Sequence, residues 1–117
     1  DGMDEISICG PTTVSEVAGG DVRTYEISPE DFGMTVRPIG ELAGGVPEEN
    51  AAIIRDVLGG GAGARGDIVA LNAGAVLYLA GRSGTHREGV ELAKELLDAG
   101  AALDVLENLR TVTHDTA

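Results

Sequence analysis

The chain has little aromatic material and almost no cysteine. It contains no Trp, one Phe and two Tyr among 117 residues, so we expect a core of Ala, Val, Ile and Leu. A single cysteine, Cys9, excludes a disulfide within the chain and a zinc site built from several cysteines. No apolar run reaches the ~18 residues of a membrane-spanning helix, and no secretory signal opens the sequence. These features favour a cytoplasmic protein.

Positive charge is also scarce. The 8 Lys and Arg residues oppose 20 Asp and Glu residues, which gives a net charge of −12 at pH 7. Such an acidic chain is not expected to bind nucleic acid or an anionic membrane surface. Hydrophobic residues make up 43% of the sequence, which argues against disorder. The length fits one compact domain or a piece of a larger one.

Two β-prone segments precede a helical region. Residues 12–17 and 22–27 flank a turn at residues 18–21 that contains Gly19 and Gly20, and this arrangement predicts a β-hairpin. The short apolar run at residues 6–9 is predicted to be another strand.

The remainder of the sequence predicts helices. Pro47, Asp67 and Thr85 as start residues, and the glycine directly after each segment, place them at 47–58, 68–80 and 86–99. Leucines at helical spacing add a short fourth helix before residue 110. The second helix is apolar on almost every side, which predicts a buried central helix with Asp67 as its N-terminal cap. From residue 111 the pattern fades, which predicts a tail. Strands followed by helices are typical of an α/β or α+β layer structure.

Two adjacent carboxylates, Asp4 and Glu5, lie just before the first predicted strand. On a regular strand they would point to opposite faces, whereas in an irregular turn they can converge. Two hard oxygen ligands suit Mg²⁺, which takes one or two carboxylates and leaves its other positions to water and substrate phosphates. The residues alone leave open that the pair is ordinary acidic surface.

The glycine-rich tract at residues 59–66 contains a formal G-x-G-x-x-G pattern. A dinucleotide site needs this pattern after a strand and before a helix, and here it follows a helix. We therefore interpret the tract as a flexible connection between helices.

Several isolated polar residues carry weaker hypotheses. Asn50 and Asn72 interrupt helical patterns, so each is predicted either to hold a neighbouring loop or backbone, or to be partly exposed. His86 and His114 have no second histidine or cysteine at ligand spacing and are interpreted as structural. Cys9 is interpreted as a small core residue.

Five segments, in order along the chain, resemble the anthranilate phosphoribosyltransferase family. They are Asp1-Gly2-Met3-Asp4-Glu5-Ile6-Ser7 with Gly10-Pro11-Thr12, Ser28-Pro29-Glu30-Asp31-Phe32-Gly33, Gly44-Gly45 with Glu49-Asn50-Ala51, Leu71-Asn72-Ala73-Gly74-Ala75, and Arg87-Glu88-Gly89-Val90-Glu91-Leu92-Ala93. By this resemblance the chain is the C-terminal third of such an enzyme. Residues 1–110 would form the C-terminal portion of its large α/β domain, of the nucleoside-phosphorylase-like fold, as a β-hairpin followed by packed helices. Residues 111–117 would be a tail.

The resemblance implies an activity and a metal. The family joins anthranilate to the ribose of phosphoribosyl pyrophosphate, a step in tryptophan biosynthesis, and releases pyrophosphate. Its Mg²⁺-binding Asp-Glu pair falls on Asp4 and Glu5. The physical chemistry agrees, because a cation can stabilise the negative charge that develops on the leaving pyrophosphate.

The resemblance also implies what this chain lacks. The family's phosphate-binding loop, anthranilate pocket and helical dimerisation domain lie upstream of the matched segments, so no catalytic or substrate-binding residue is assigned here. The chain alone is predicted to be inactive, and the full-length protein is expected to be a homodimer. Two alternatives stay open. One is a related phosphoribosyltransferase with another acceptor, and the other is a non-catalytic acidic binding module.

Overall fold

The computed structural model describes residues 2–61 and 63–115, in which a two-stranded β-hairpin precedes four α-helices. The elements are β1 (Thr12–Ala18), β2 (Asp21–Ile27), α1 (Pro47–Leu58), α2 (Ala64–Leu79), α3 (His86–Asp98) and α4 (Ala101–Asp115), with 3-10 helices at Pro29–Phe32 and Ile39–Leu42. This architecture confirms the predicted fold class, a β-hairpin followed by packed helices. None of the helices described is long and apolar enough to cross a membrane.

The hairpin has the predicted position and turn. β1 and β2 pair antiparallel, with Thr12 opposite Ile27 and Ala18 opposite Asp21. Gly19 and Gly20 form the turn with φ angles of 60° and 86°. Positive φ at both central residues matches the right-handed twist of the flanking strands, and glycine adopts it without strain.

Residues 6–9 do not form the predicted strand. They run as irregular chain, and fully buried Ile8 anchors them in the core. The Arg37 backbone N–H donates to the Ile8 carbonyl oxygen over 2.9 Å. At Ile6 the amide side chain of Asn72 replaces a neighbouring strand as hydrogen-bond partner. The apolar run therefore predicted burial correctly and secondary structure wrongly.

Two helix boundaries differ from the predicted ones by more than one residue. α2 begins at Ala64, so Asp67 lies in its first turn instead of capping it. The N-cap is Gly63, whose φ of 103° breaks the helical path, and Ala64 behind it is a strong helix former. α4 continues to Asp115, which corrects the predicted tail for residues 111–115, whereas residues 116–117 lie outside the described residues. Residues 101–115 contain neither Gly nor Pro, the residues that most often end a helix.

The core lies mainly between α2 and α3. Its most deeply buried side chains include Ile8, Leu71 and Val90, with exposed fractions of 0%, 1% and 2%. The prediction that α2 is buried on all sides is wrong, since Val76 and Leu79 are 65% and 75% exposed. The face of α2 toward α3 is the most extensively covered, and Asn72 and Tyr78 are half-buried where they contact the Ile6 segment and the hairpin. On α3, helical spacing predicts four inward-facing residues, Val90, Ala93, Leu96 and Leu97, and all are buried except Leu96, which is 40% exposed.

A hydrogen-bonded cluster docks the hairpin on α2. The Glu16 carboxylate of β1 accepts from the Tyr25 hydroxyl at 2.9 Å, from Arg23 Nη2 at 3.1 Å and from the Tyr78 hydroxyl of α2 at 2.6 Å. These donors favour the ionised carboxylate, so Tyr78 first, then Tyr25 and Arg23, lower the pKa of Glu16. The pKa of Tyr78 changes in the opposite direction: its hydrogen bond to Glu16 and, next, burial raise it.

Replacing Glu16 by Gln is expected to lower the melting temperature at pH 7. A carboxylate with a depressed pKa stabilises the fold above the usual pKa of a glutamate, about 4.3, and loses that contribution as pH falls through its lower folded-state pKa. The difference in melting temperature between Glu16→Gln and the parent protein should therefore become smaller as pH falls from 7 to 3. Glu26→Gln, on the exposed opposite face of β2, is the control and should show no such narrowing. A deficit that stays constant in acid would contradict this account.

Candidate functional site

Asp4 and Glu5 lie in the irregular segment before β1, and both side chains are exposed. They stand at the edge of a cavity of about 550 Å³. Neither carboxylate has a hydrogen bond or ion pair with another residue in 2–61 or 63–115. Because the segment is not a strand, the two side chains are not forced to opposite faces. The carboxylates are thus available to a ligand from solvent.

The rest of the cavity is mostly apolar. Its walls come from α1, the start of α2 and the loop that precedes α1. The larger apolar lining residues of the helices and the loop are Leu42, Ile53, Ile54, Val57, Leu58, Ile68 and Val69. Asn50 and Arg65 are the other polar side chains that line the cavity, together with Asp4 and Glu5.

The loop that precedes α1 is held by side chains of α1 and α2. The Gly45 N–H donates to Asn50 Oδ1 at 2.8 Å, and Asn50 Nδ2 donates back to the Gly45 carbonyl oxygen at 2.9 Å. Arg65 Nη2 donates to the Ala43 carbonyl oxygen. The prediction that Asn50 holds a neighbouring loop is therefore confirmed. The role of Arg65 was missed, because its partner is 22 residues away in the sequence.

Asn72 holds the segment that carries the carboxylates. The Ile6 N–H donates to Asn72 Oδ1 at 2.9 Å, and Asn72 Nδ2 donates to the Ile6 carbonyl oxygen at 2.9 Å. The same Nδ2 donates to the Ile68 carbonyl oxygen at 2.9 Å, one turn earlier in α2. The prediction that Asn72 holds a neighbouring backbone is confirmed, and the backbone is that of the segment containing Asp4 and Glu5.

The donor set fits Mg²⁺ better than zinc. Among the described residues, no group of three or more His, Cys, Asp or Glu side chains is arranged to hold a metal ion. The candidate donor set is therefore the pair of adjacent carboxylates, Asp4 and Glu5. A structural zinc site needs four protein ligands, whereas Mg²⁺ usually takes one or two carboxylates and keeps water or phosphate in its other positions. Asp4 and Glu5 therefore suit a cation that is shared with a phosphate-bearing substrate.

The other candidate residues have structural positions. His86 Nε2 donates to the Leu71 carbonyl oxygen at 2.9 Å, and its ring packs against Phe32 with centroids 4.5 Å apart. His114 lies near the end of α4 and Cys9 is a half-buried free thiol. Within the glycine-rich tract, residues 59–61 and 63 lie between α1 and α2, whereas residues 64–66 form the first residues of α2, which corrects the predicted connection at that end. The Gly61 N–H donates to the Asp56 carbonyl oxygen at 2.8 Å.

Comparison with known proteins defines the class first. Residues 1–103 match the model of a glycosyl transferase family, a/b domain, and the chain belongs to this family. Within it, the chain is 51% identical over 118 aligned residues to an anthranilate phosphoribosyltransferase of Rubrobacter xylanophilus, covering 100% of this chain and 34% of the relative. The resemblance noted in the sequence is thereby confirmed. The chain spans about a third of the length of the curated relatives it matches.

Solved structures agree with the sequence relatives. Anthranilate phosphoribosyltransferase from Thermus thermophilus superposes with a TM-score of 0.84 at 43% identity, covering 92% of this chain and 32% of that one. The Saccharomyces cerevisiae enzyme in complex with PRPP and Mg superposes with a TM-score of 0.77 at 30% identity, covering 91% and 31%. The hairpin and the four helices are thus an arrangement that these enzymes contain.

Proposed function

We propose that the full-length protein carrying this segment transfers phosphoribosyl from phosphoribosyl pyrophosphate to anthranilate and releases pyrophosphate. The observation that carries the proposal is the 51% identity, over the whole segment, to a relative named for this reaction. The activity belongs to the full-length protein, because the segment corresponds to only 34% of that relative.

Within this proposal Asp4 and Glu5 bind Mg²⁺ at the pyrophosphate group of the donor. Two observations support the assignment: both carboxylates are exposed beside a cavity, and a structural neighbour has been solved with PRPP and Mg. Bound Mg²⁺ would supply positive charge where the leaving pyrophosphate becomes more negative. The contribution of this segment is to hold the two carboxylates in place. Ile8 fixes the chain by its burial in the core, and Asn72 fixes it by hydrogen bonds to Ile6.

The parts that bind the two substrates, here called the substrate-binding parts, belong to other regions of the full-length protein. The phosphate-binding loop and the anthranilate pocket of the family are expected upstream of residues 1–110, as is the helical domain through which a homodimer would form. A metal-binding segment without these parts positions neither substrate, so it gains little from proximity and orientation. The segment alone is therefore expected to be inactive, and the cytoplasm stays the expected location of the enzyme.

An activity assay of the full-length protein and of the isolated segment tests the proposal. The full-length protein should consume anthranilate, followed by its fluorescence, only when phosphoribosyl pyrophosphate and Mg²⁺ are both present. The isolated segment should consume none under the same conditions. Anthranilate turnover by the segment alone would contradict the assignment of the substrate-binding parts to other regions of the protein.

The alternatives give different results in the same assay. A related phosphoribosyltransferase would release pyrophosphate in the presence of Mg²⁺ and another acceptor but leave anthranilate unchanged. A non-catalytic acidic module would release no pyrophosphate with any acceptor, and Mg²⁺ would not protect the region of Asp4 and Glu5 from hydrogen exchange.

A further inference from the structure

Asn72 uses its whole amide group to join α2 to the segment that carries the acidic pair. Its oxygen accepts from the Ile6 N–H, and its nitrogen donates to the carbonyl oxygens of Ile6 and Ile68, each over 2.9 Å. Asn72 and its partner Ile6 are 66 positions apart in the sequence. An amide nitrogen has two N–H groups, and both are engaged. The amide group is thus fixed to its own helix by one hydrogen bond and to the backbone of Ile6 by two.

We infer that Asn72 is a positioning residue that fixes Asp4 and Glu5 in the geometry that binds the cation. The inference rests on the proposed function, in which these carboxylates bind Mg²⁺. Asn72 does not touch the cation in this inference. It acts through the backbone of Ile6, which follows Glu5 directly.

Chain length makes this coupling tight. One extended residue spans at most about 3.6 Å, so Glu5 and Asp4 cannot lie further than roughly 4 and 7 Å along the chain from the point that Asn72 holds. Beyond Ile6 the segment is fixed a second time, by burial of Ile8 and by the Arg37 N–H at its carbonyl oxygen. Asn72 holds the chain on the side nearer the carboxylates. Its loss would release Ile6 while the anchor at Ile8 keeps the fold intact.

The composition of α2 supports a specific role for this side chain. The helix is apolar at most positions, and an Asn in a helix interior costs stability relative to Ala or Leu. The hydrogen bonds to Ile6 offset that cost. A cation site requires ligand distances within about 0.2 Å of their preferred values, and partners that orient metal ligands typically contribute roughly 10- to 100-fold in affinity.

Cation binding by the full-length protein tests the inference without relying on activity. The probe is Mn²⁺ in the presence of inorganic pyrophosphate, with free Mn²⁺ counted by electron paramagnetic resonance. Asn72→Leu keeps a similar side-chain volume and removes all three hydrogen bonds, so its Mn²⁺ dissociation constant should rise by about tenfold or more. Asn72→Gln keeps the amide but moves it by one methylene group, and its constant should lie between those of Asn72→Leu and the parent protein.

His86→Leu is the matched control. His86 also bonds the backbone of α2, at Leu71, but it does not line the cavity beside Asp4 and Glu5. It should lower the melting temperature and leave the Mn²⁺ dissociation constant unchanged. Hydrogen exchange at the Ile6 amide should become faster in Asn72→Leu and not in His86→Leu.

Each other outcome overturns the inference. If Asn72→Leu binds Mn²⁺ as the parent protein does, or if it and His86→Leu weaken binding equally, then Asn72 has only a structural role. If Asn72→Leu does not fold, an unchanged dissociation constant in Asn72→Gln rejects the inference. If the parent protein itself binds no Mn²⁺ with pyrophosphate, the metal assignment of the proposed function fails together with it.

Discussion

The double substitution Asp4→Asn with Glu5→Gln is expected to reduce turnover of the full-length protein by on the order of 100-fold or more, with little change in its melting temperature. Both side chains keep their size and lose their charge. Because both are exposed and make no hydrogen bond or ion pair within the described residues, the fold loses little when they are neutralised. The reaction loses the carboxylates proposed to hold the cation against the leaving pyrophosphate. Steady-state turnover and thermal unfolding, measured on the same preparation, check the two halves of the prediction.

A second pair of acidic residues provides the control for charge. Glu91→Gln with Glu95→Gln removes two exposed negative charges from α3, away from the cavity. Turnover should stay near that of the parent protein in this variant. The residual activity of the Asp4 and Glu5 variant should also need more Mg²⁺ for half-maximal rate. A folded Asp4 and Glu5 variant with full turnover at low Mg²⁺ would remove the metal assignment.

Local sequence signals predicted most of the elements. The turn at Gly19 and Gly20 predicted the hairpin, and Pro47 and Thr85 predicted the starts of α1 and α3. Each signal acts through backbone groups within a few residues, so it can be interpreted without tertiary structure. The errors occurred where local signals were weak. Asp67 resembled a cap, yet the positive φ of Gly63 set the start of α2.

The candidate site was less accessible to prediction, because its contacts are long-range. Adjacent carboxylates alone did not distinguish a metal site from acidic surface, and the proposal of a metal site rests on the family resemblance. Asn72 was predicted to hold a backbone, but its partner Ile6 is 66 residues away. The cluster around Glu16 was not predicted, since Tyr78 is 62 residues from it. An inward-facing Glu on β1, together with the only two tyrosines of the chain, is the signal that could have suggested this cluster.

The contact between α2 and α3 leads to the largest expected loss of stability. A Cβ atom at Gly74 would lie 2.5 Å from the Val90 backbone nitrogen and 2.6 Å from Val90 Cγ2. A Cβ at Gly89 would collide with the Gly74 carbonyl oxygen. Both clashes involve backbone atoms, which cannot move aside as the end of a flexible side chain can. The two helices therefore approach so closely because both positions are glycine.

Gly74→Ala is accordingly expected to destabilise the protein by about 2 kcal/mol or more, measured by urea unfolding of the full-length protein. Alanine improves helix propensity by about 1 kcal/mol, and overpacking against backbone costs about 3 kcal/mol, so the clash dominates. Gly40→Ala is the control, because a Cβ there meets nothing within 4 Å, and its stability should change by less than about 0.5 kcal/mol. Gly89→Ala should be similarly destabilising, and the double variant should lose less than the sum of the two, since separating the helices once relieves both clashes. Additive losses would show that the two clashes are relieved independently. A Gly74→Ala protein as stable as the parent would show that α2 and α3 can separate without cost.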